Sequence, residues 1–213
     1  EKAIDLGLSY LCMTDHMDLD FPYTELDFTF DVSEYFKKHE ELRQIYGDRI
    51  QLLTGIELGL QPGVYADLKD LLSKWDFDFV IGSSHLVDRI DPYFPVYWEN
   101  TTESKGIFRY FETILENVAD FDNIDVYGHI DYIVRYGPTK DANYSYRNYK
   151  EILDEITTEE DICNSDARDI TEDNSVNSFL YSIAMNKATI GTYADMPINQ
   201  KQFISQVETI KHI

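Results

Sequence analysis

The sequence has only two cysteines in 213 residues, and Cys12 and Cys163 lie far apart in dissimilar surroundings. They offer neither a disulfide framework nor a Cys-x-x-Cys metal site, so a reducing cytoplasm is the expected location. Basic residues are scarce as well: 18 Lys and Arg stand against 40 Asp and Glu, a formal charge of −22. Such a surface repels phosphate backbones and anionic membranes, which argues against a nucleic-acid partner, and it is compatible with gathering divalent cations. Long apolar runs are missing too. None approaches the roughly 20 residues of a membrane span, and the opening EKAIDLGL has neither the basic nor the apolar region of a signal peptide. That opening reads as the last turns of a helix, Ala3, Ile4 and Leu6 closed by Gly7, leading straight into a strand, as if the chain began within a fold.

What is present is an alternation of strand and helix up to about residue 156. LSYLCMT (8–14) is an apolar strand candidate ending in Asp15-His16. After an aromatic and acidic loop, Asp31 and Glu34 form a capping-box arrangement, and Tyr35, Phe36, Leu42, Ile45 and Tyr46 recur at helical spacing until Gly47. His39 falls beside that stripe and is expected to be a partly buried helix residue with no chemistry. RIQLLTGIEL (49–58) is the next strand and carries Glu57 near its end. A helix after Pro62-Gly63 groups Leu68, Leu71, Leu72 and Trp75, and leads into FDFVIGSSH, whose apolar run suits a strand covered on both faces and stops at His85. A long helix over 102–121, with Ile107, Phe108, Phe111, Ile114, Leu115 and Val118 as its buried stripe, feeds NIDVYGHIDYIVRYGP, where a strand ends on His129. Residues 144–156 read as helical.

This repetition predicts an α/β domain with a parallel sheet, either open or closed into a barrel. From residue 157 the character changes to an acidic linker, TTEEDICNSDARDITEDNS, and two amphipathic stretches, VNSFLYSIAMNK and INQKQFISQVETIKHI. The expected organisation is a domain over 1–156 and a divergent, mainly helical tail over 157–213.

Four successive strands thus deliver His16, Glu57, His85 and His129 to one sheet edge, the edge where α/β folds bind ligands. Imidazoles with a carboxylate form a ligand set for Zn²⁺, Mn²⁺ or Fe²⁺, ions that polarise phosphoryl oxygens and lower the pKa of bound water. Glu57 has two oxygens with which to bridge ions. Asp15, Asp18 and Asp131 are the neighbouring carboxylates that could orient the imidazoles or accept a proton.

The ordered series AIDLGLSYLCMTDHMD, LLTGIELG, FDFVIGSSH and YGHIDYIVRYGP resembles the polymerase and histidinol phosphatase (PHP) metal-dependent phosphoesterases over residues 1–156, and most closely their histidinol-phosphatase branch. The resemblance implies a distorted (β/α)7 barrel, present here in part, with up to three divalent ions at the strand carboxyl ends. His16 would be a ligand to one ion, Glu57 the bridging carboxylate, and His85 and His129 the ligands completing another. Asp15 and Arg135 would be catalytic, Arg135 through the substrate phosphate, which a planar guanidinium fits well. Two family motifs are not found: an HxH pair on a first strand and a closing GSDAH-like strand, whose nearest match is Asn164-Ser165-Asp166-Ala167-Arg168. One subsite, Glu57 with His85 and His129, is therefore represented in full, while another keeps only His16. The implied function is hydrolysis of a phosphomonoester, L-histidinol phosphate in histidine biosynthesis, with no nucleic acid or membrane partner. The alternative is a non-catalytic PHP-like scaffold.

Overall fold

The structure, a computed structural model, describes residues 1–23 and 25–158, and the elements follow from local chemistry. Helix α1 (Lys2–Asp5) ends as expected at Gly7, whose φ of 77° lets the Gly7 and Leu8 amides donate back to Ile4 O and Ala3 O. Strand β1 (Tyr10–Met17) follows. Helix α2 (Val32–Tyr46) starts where the Asp31 carboxylate accepts from the Glu34 amide at 2.9 Å. Then come β2 (Gln51–Gly59), α3 (Tyr65–Lys74), β3 (Phe79–Ser83), α4 (Glu103–Asp120), β4 (Val126–Tyr127), α5 (Tyr132–Tyr136) and α6 (Lys150–Thr158).

Among the described residues the four strands are all parallel and lie in the order β1-β2-β3-β4. A doubly wound sheet reverses its strand order at a switch point, whereas a barrel adds each strand beside the last. The observed order is that of a barrel arc. It places every strand's carboxyl end along one continuous rim.

The main core lies between this sheet and the helices, with Ile56, Leu58, Leu68, Phe111, Ile114, Ile133 and Ile156 fully buried. Beneath the rim, Asn117 of α4 ties three strand ends together. Its amide nitrogen donates to Leu60 O at 3.2 Å, Ser84 Oγ at 2.6 Å and the Tyr127 hydroxyl at 3.3 Å, while its oxygen accepts from the Tyr65 hydroxyl at 2.7 Å.

Three local expectations are corrected. Strand β1 opens at Tyr10 rather than Leu8 and runs one residue past His16 to Met17, where Asp15, His16 and Met17 find ladder partners in Ile56, Glu57 and Leu58. On α4, Phe108 is 44% exposed and Tyr110 is buried in its place. The stripe passes through 107, 110, 111 and 114, so residue 108 faces outward. Residues 144–156 are not one helix: a 3-10 turn (Tyr146–Asn148) precedes α6, divided from it by Tyr149, which is buried against the Phe111 ring at 5.5 Å. Helix α6 takes in the first two residues of the expected linker, Thr157 and Thr158; the rest of that linker and the tail expected to be helical, with Cys163 and Asp166, lie outside the described residues.

Candidate metal centre

His16 and Glu57 face each other across the β1–β2 ladder. Parallel register places their side chains on the same face, with His16 Nε2 3.7 Å from Glu57 Oε2. Glu57 is set within a strand and its other oxygen, Oε1, accepts from Ser83 Oγ at 2.8 Å. His85 and His129 each come two residues after a strand, β3 and β4 respectively. His129 adopts φ of 27°, a left-handed backbone that few non-glycine residues take and that is held only where the surroundings fix it. The Tyr132 ring packs against both imidazoles, 5.2 Å from His129 and 5.7 Å from His85.

These placements bring three donor atoms into a nearly equilateral triangle. His85 Nε2 lies 3.3 Å from His129 Nε2 and 3.3 Å from Glu57 Oε1, and His129 Nε2 lies 3.1 Å from the same oxygen. A tetrahedral ion with bonds of about 2.0–2.1 Å separates its ligands by about 3.3 Å. The donor set, two imidazole nitrogens and one carboxylate oxygen, and its spacing both fit a zinc-like cation with a fourth position open. His129 Nδ1 is buried and, among the described residues, has no hydrogen-bond partner, so its ring is oriented by the Nε2 contacts, the backbone and the packing of Tyr132.

The electrostatics agree with a site built for positive charge. Burial opposes ionisation of Glu57, but hydrogen bonds from His129 and His85 and the charge of His16 prevail and hold its carboxyl far below the usual range. For His85, burial disfavours the imidazolium, and contacts with Asp18 and Glu57 outweigh it, lifting the pKa to about 9. Asp18 is 4% exposed, and despite its burial the two histidines keep it below the ordinary carboxylate value.

Of the residues singled out in the sequence, His16, Glu57, His85 and His129 converge as expected, within two overlapping groups that also include Asp18. Asp15 is in neither group. Adjacent strand residues point to opposite faces, so Asp15 turns away from His16 toward the Tyr35 hydroxyl and is exposed. Arg135, on α5, keeps a half-exposed guanidinium whose Nη2 donates to Asp131 Oδ1 at 3.4 Å, one turn earlier. His39 is buried on α2, with Nδ1 3.0 Å from Tyr35 O, away from the cluster. Asp18 was one of three equivalent carboxylates in the sequence. Its two-residue spacing from His16 is the signal that puts both on one side of an extended segment.

Comparison with known proteins agrees with this geometry. A family model described as "PHP domain" matches residues 1–159. A Clostridium acetobutylicum protein named "Probable histidinol-phosphatase" is 31% identical over 159 residues, covering 73% of this chain and 60% of its own length. The "Histidinol-phosphatase" of Lactococcus lactis is 31% identical over 156 residues, covering 73% and 57%. The crystal structure of the histidinol phosphate phosphatase of Lactococcus lactis, complexed with zinc, L-histidinol and phosphate, superposes with a TM-score of 0.68 at 32% identity, covering 73% of this chain and 59% of that one. The chain thus spans less than two thirds of the length of the curated relatives it matches. With the family's pattern carried through the strand ends and their convergence, the chain belongs to the PHP domain family.

Proposed function

We propose that this chain is a metal-dependent phosphomonoester hydrolase whose substrate is L-histidinol phosphate. The observation that carries the reading is the triangle of His85 Nε2, His129 Nε2 and Glu57 Oε1, with sides of 3.1 to 3.3 Å. Support for the substrate comes from the Lactococcus lactis enzyme, whose crystal structure contains zinc, L-histidinol and phosphate.

Glu57, His85 and His129 would hold one divalent ion, Zn²⁺, Mn²⁺ or Fe²⁺, and His16 with the second oxygen of Glu57 would contribute to another. Bound there, such an ion supplies Lewis-acid polarisation of a phosphoryl oxygen and acidifies water. The chain's own residues do the rest. The carboxylate of Glu57, kept ionised against its burial, supplies charge without taking a proton. Tyr132 walls one side of the imidazoles. We assign the phosphate contact to Arg135, whose exposed guanidinium is steadied by Asp131 and has donors to spare. Asp15, turned to the other face of β1, receives no part in the chemistry.

The test is release of phosphate from L-histidinol phosphate by the 213-residue chain, with and without Mn²⁺ or Zn²⁺, alongside the metal content. Metal-dependent turnover supports the proposal. Stoichiometric metal binding without turnover would leave a metal-binding scaffold, and neither would remove the reading altogether.

A further inference from the structure

One carboxylate, Asp18, touches two of the candidate ligands from behind. Its Oδ1 lies 2.5 Å from His85 Nδ1 and its Oδ2 lies 3.3 Å from His16 Nδ1. The opposite nitrogens of the same rings, both Nε2, face Glu57: His85 toward Oε1 at 3.3 Å and His16 toward Oε2 at 3.7 Å. Two imidazoles are therefore strung in parallel between two carboxylates. Asp18 takes the Nδ1 side of each ring, and the bridging carboxylate faces the Nε2 side.

For His85 the two sides differ in length, and the difference separates their roles; for His16 the contact with Asp18, 3.3 Å, and that with Glu57, 3.7 Å, are both longer. A contact of 2.5 Å is that of a hydrogen bond, and is too short for two ligands sharing one ion, which sit about 3.3 Å apart. The Nε2 side of His85, 3.3 Å from Glu57 Oε1, has the spacing of a coordination edge, and His16 takes the same orientation because its Nδ1 is the nitrogen nearer the same Asp18 carboxylate. Asp18 is thus a hydrogen-bond acceptor, although its oxygens fall within reach of a cation shared with His16 and His85.

We infer that Asp18 is a positioning residue that fixes the protonated nitrogen of both His16 and His85 at Nδ1, so that both Nε2 lone pairs face the oxygens of Glu57. The inference rests on the metal-centre reading above and deepens it. It also assigns a reason to Gly59, the last residue of β2. A Cβ at position 59 would overlap Asp18 Oδ1 and lie 2.6 Å from Cγ, so only glycine leaves room for the carboxylate over that strand end. The Asp18 amide, donating to Phe28 O at 3.0 Å, anchors the same residue from the other side. Gly59, Asp18 and the two imidazoles form a chain of contacts running from β2 back to the carboxylate that β2 itself carries.

Two measurements test it. In the metal-free wild-type chain at pH 10, where the imidazoles are neutral, histidine ¹⁵N NMR should show His85 and His16 in the Nδ1–H form, against the usual preference for Nε2–H. The Nε2–H form at His85 would overturn the inference whatever the variants do. Separately, Asp18→Asn and Gly59→Ala, each verified as folded by circular dichroism, should weaken Mn²⁺ binding about ten- to a hundred-fold, the effect of losing an outer partner of a metal-bound histidine. Affinity within twofold of wild type in either variant would overturn it. A wild-type chain with Nδ1–H imidazoles that takes up no Mn²⁺ would refute the metal reading and leave the positioning role of Asp18 standing.

Discussion

The Nε2 atoms of His85 and His129 face each other at 3.3 Å, and both approach Glu57 Oε1. Two imidazole lone pairs aimed at one another repel unless a proton or a cation lies between them. A cation satisfies both nitrogens and the carboxylate at once.

Removing one vertex of that triangle should therefore remove the ion. His129→Ala is expected to abolish binding of the tightest-held divalent metal, measured as metal per chain by elemental analysis after dialysis. Unchanged metal content would count against the site.

The proton on His85 competes with that ion. In the metal-free chain the imidazolium contributes stability that is fully present below the ordinary value of 6.5 and is lost as pH rises through about 9. Asp18 and Glu57, both lowered, act in the opposite sense: their contribution is present above the ordinary carboxylate values and is lost as pH falls. Metal binding displaces the His85 proton, so affinity should rise with pH by roughly tenfold per unit within that window. The increase in melting temperature caused by Mn²⁺ should be larger at pH 8.5 than at pH 6.5. An increase that does not depend on pH would argue that His85 is not displaced.

Arg135→Ala tests the phosphate contact. Loss of a charge-assisted hydrogen bond of about 1.5–3 kcal/mol should raise KM for a phosphomonoester roughly tenfold or more while metal content stays at the wild-type level. Equal loss of both would move Arg135 from substrate binding to support of the ligand loop.

Asn117→Ala leaves the Tyr65, Ser84 and Tyr127 hydroxyls and Leu60 O short of partners in a fully buried position. The cost should be about 2–3 kcal/mol, a fall in melting temperature of about 4–10 °C for a chain of this size. A fall of less than 1 °C would mean the strand ends are held without it.

Cys12 should be a poor nucleophile. Burial, reinforced by Asp78 and Asp125, pushes its thiol up to about 12. In a Cys163→Ser background, iodoacetamide at pH 8 should label it at least about tenfold more slowly than a free thiol. Labelling at the rate of a free thiol would reveal that β1 opens readily.

The candidate ligands were legible in the sequence because each follows an apolar run short enough to be a buried strand, and parallel strands align their ends. The helix start at Asp31 was legible through capping chemistry, and the structure adds a second such cap at Thr102, whose side chain also accepts from the amide three residues on. Less local information escaped. Asp15 and Asp18 are equally acidic neighbours of His16, and only the pleat of β1 and the path of the next residues decide which one meets the imidazoles. Phe108 and Tyr110 are both aromatic, and a shift of two positions around α4 decides which is buried. The short helix α5 hides in an apolar string, HIDYIVRYGP, that reads equally well as strand.

The candidate ligands also differ in how they are mounted. Glu57 is fixed mid-strand by ladder partners on both sides, whereas His85 and His129 hang beyond the ends of their strands. The carboxylate is thus held by the sheet itself, while the two imidazoles depend on contacts outside it: His85 on Asp18, and His129 on the surroundings that fix its left-handed backbone. A change that disturbs those outer contacts would turn an imidazole aside and leave the strands, and Glu57 with them, in place.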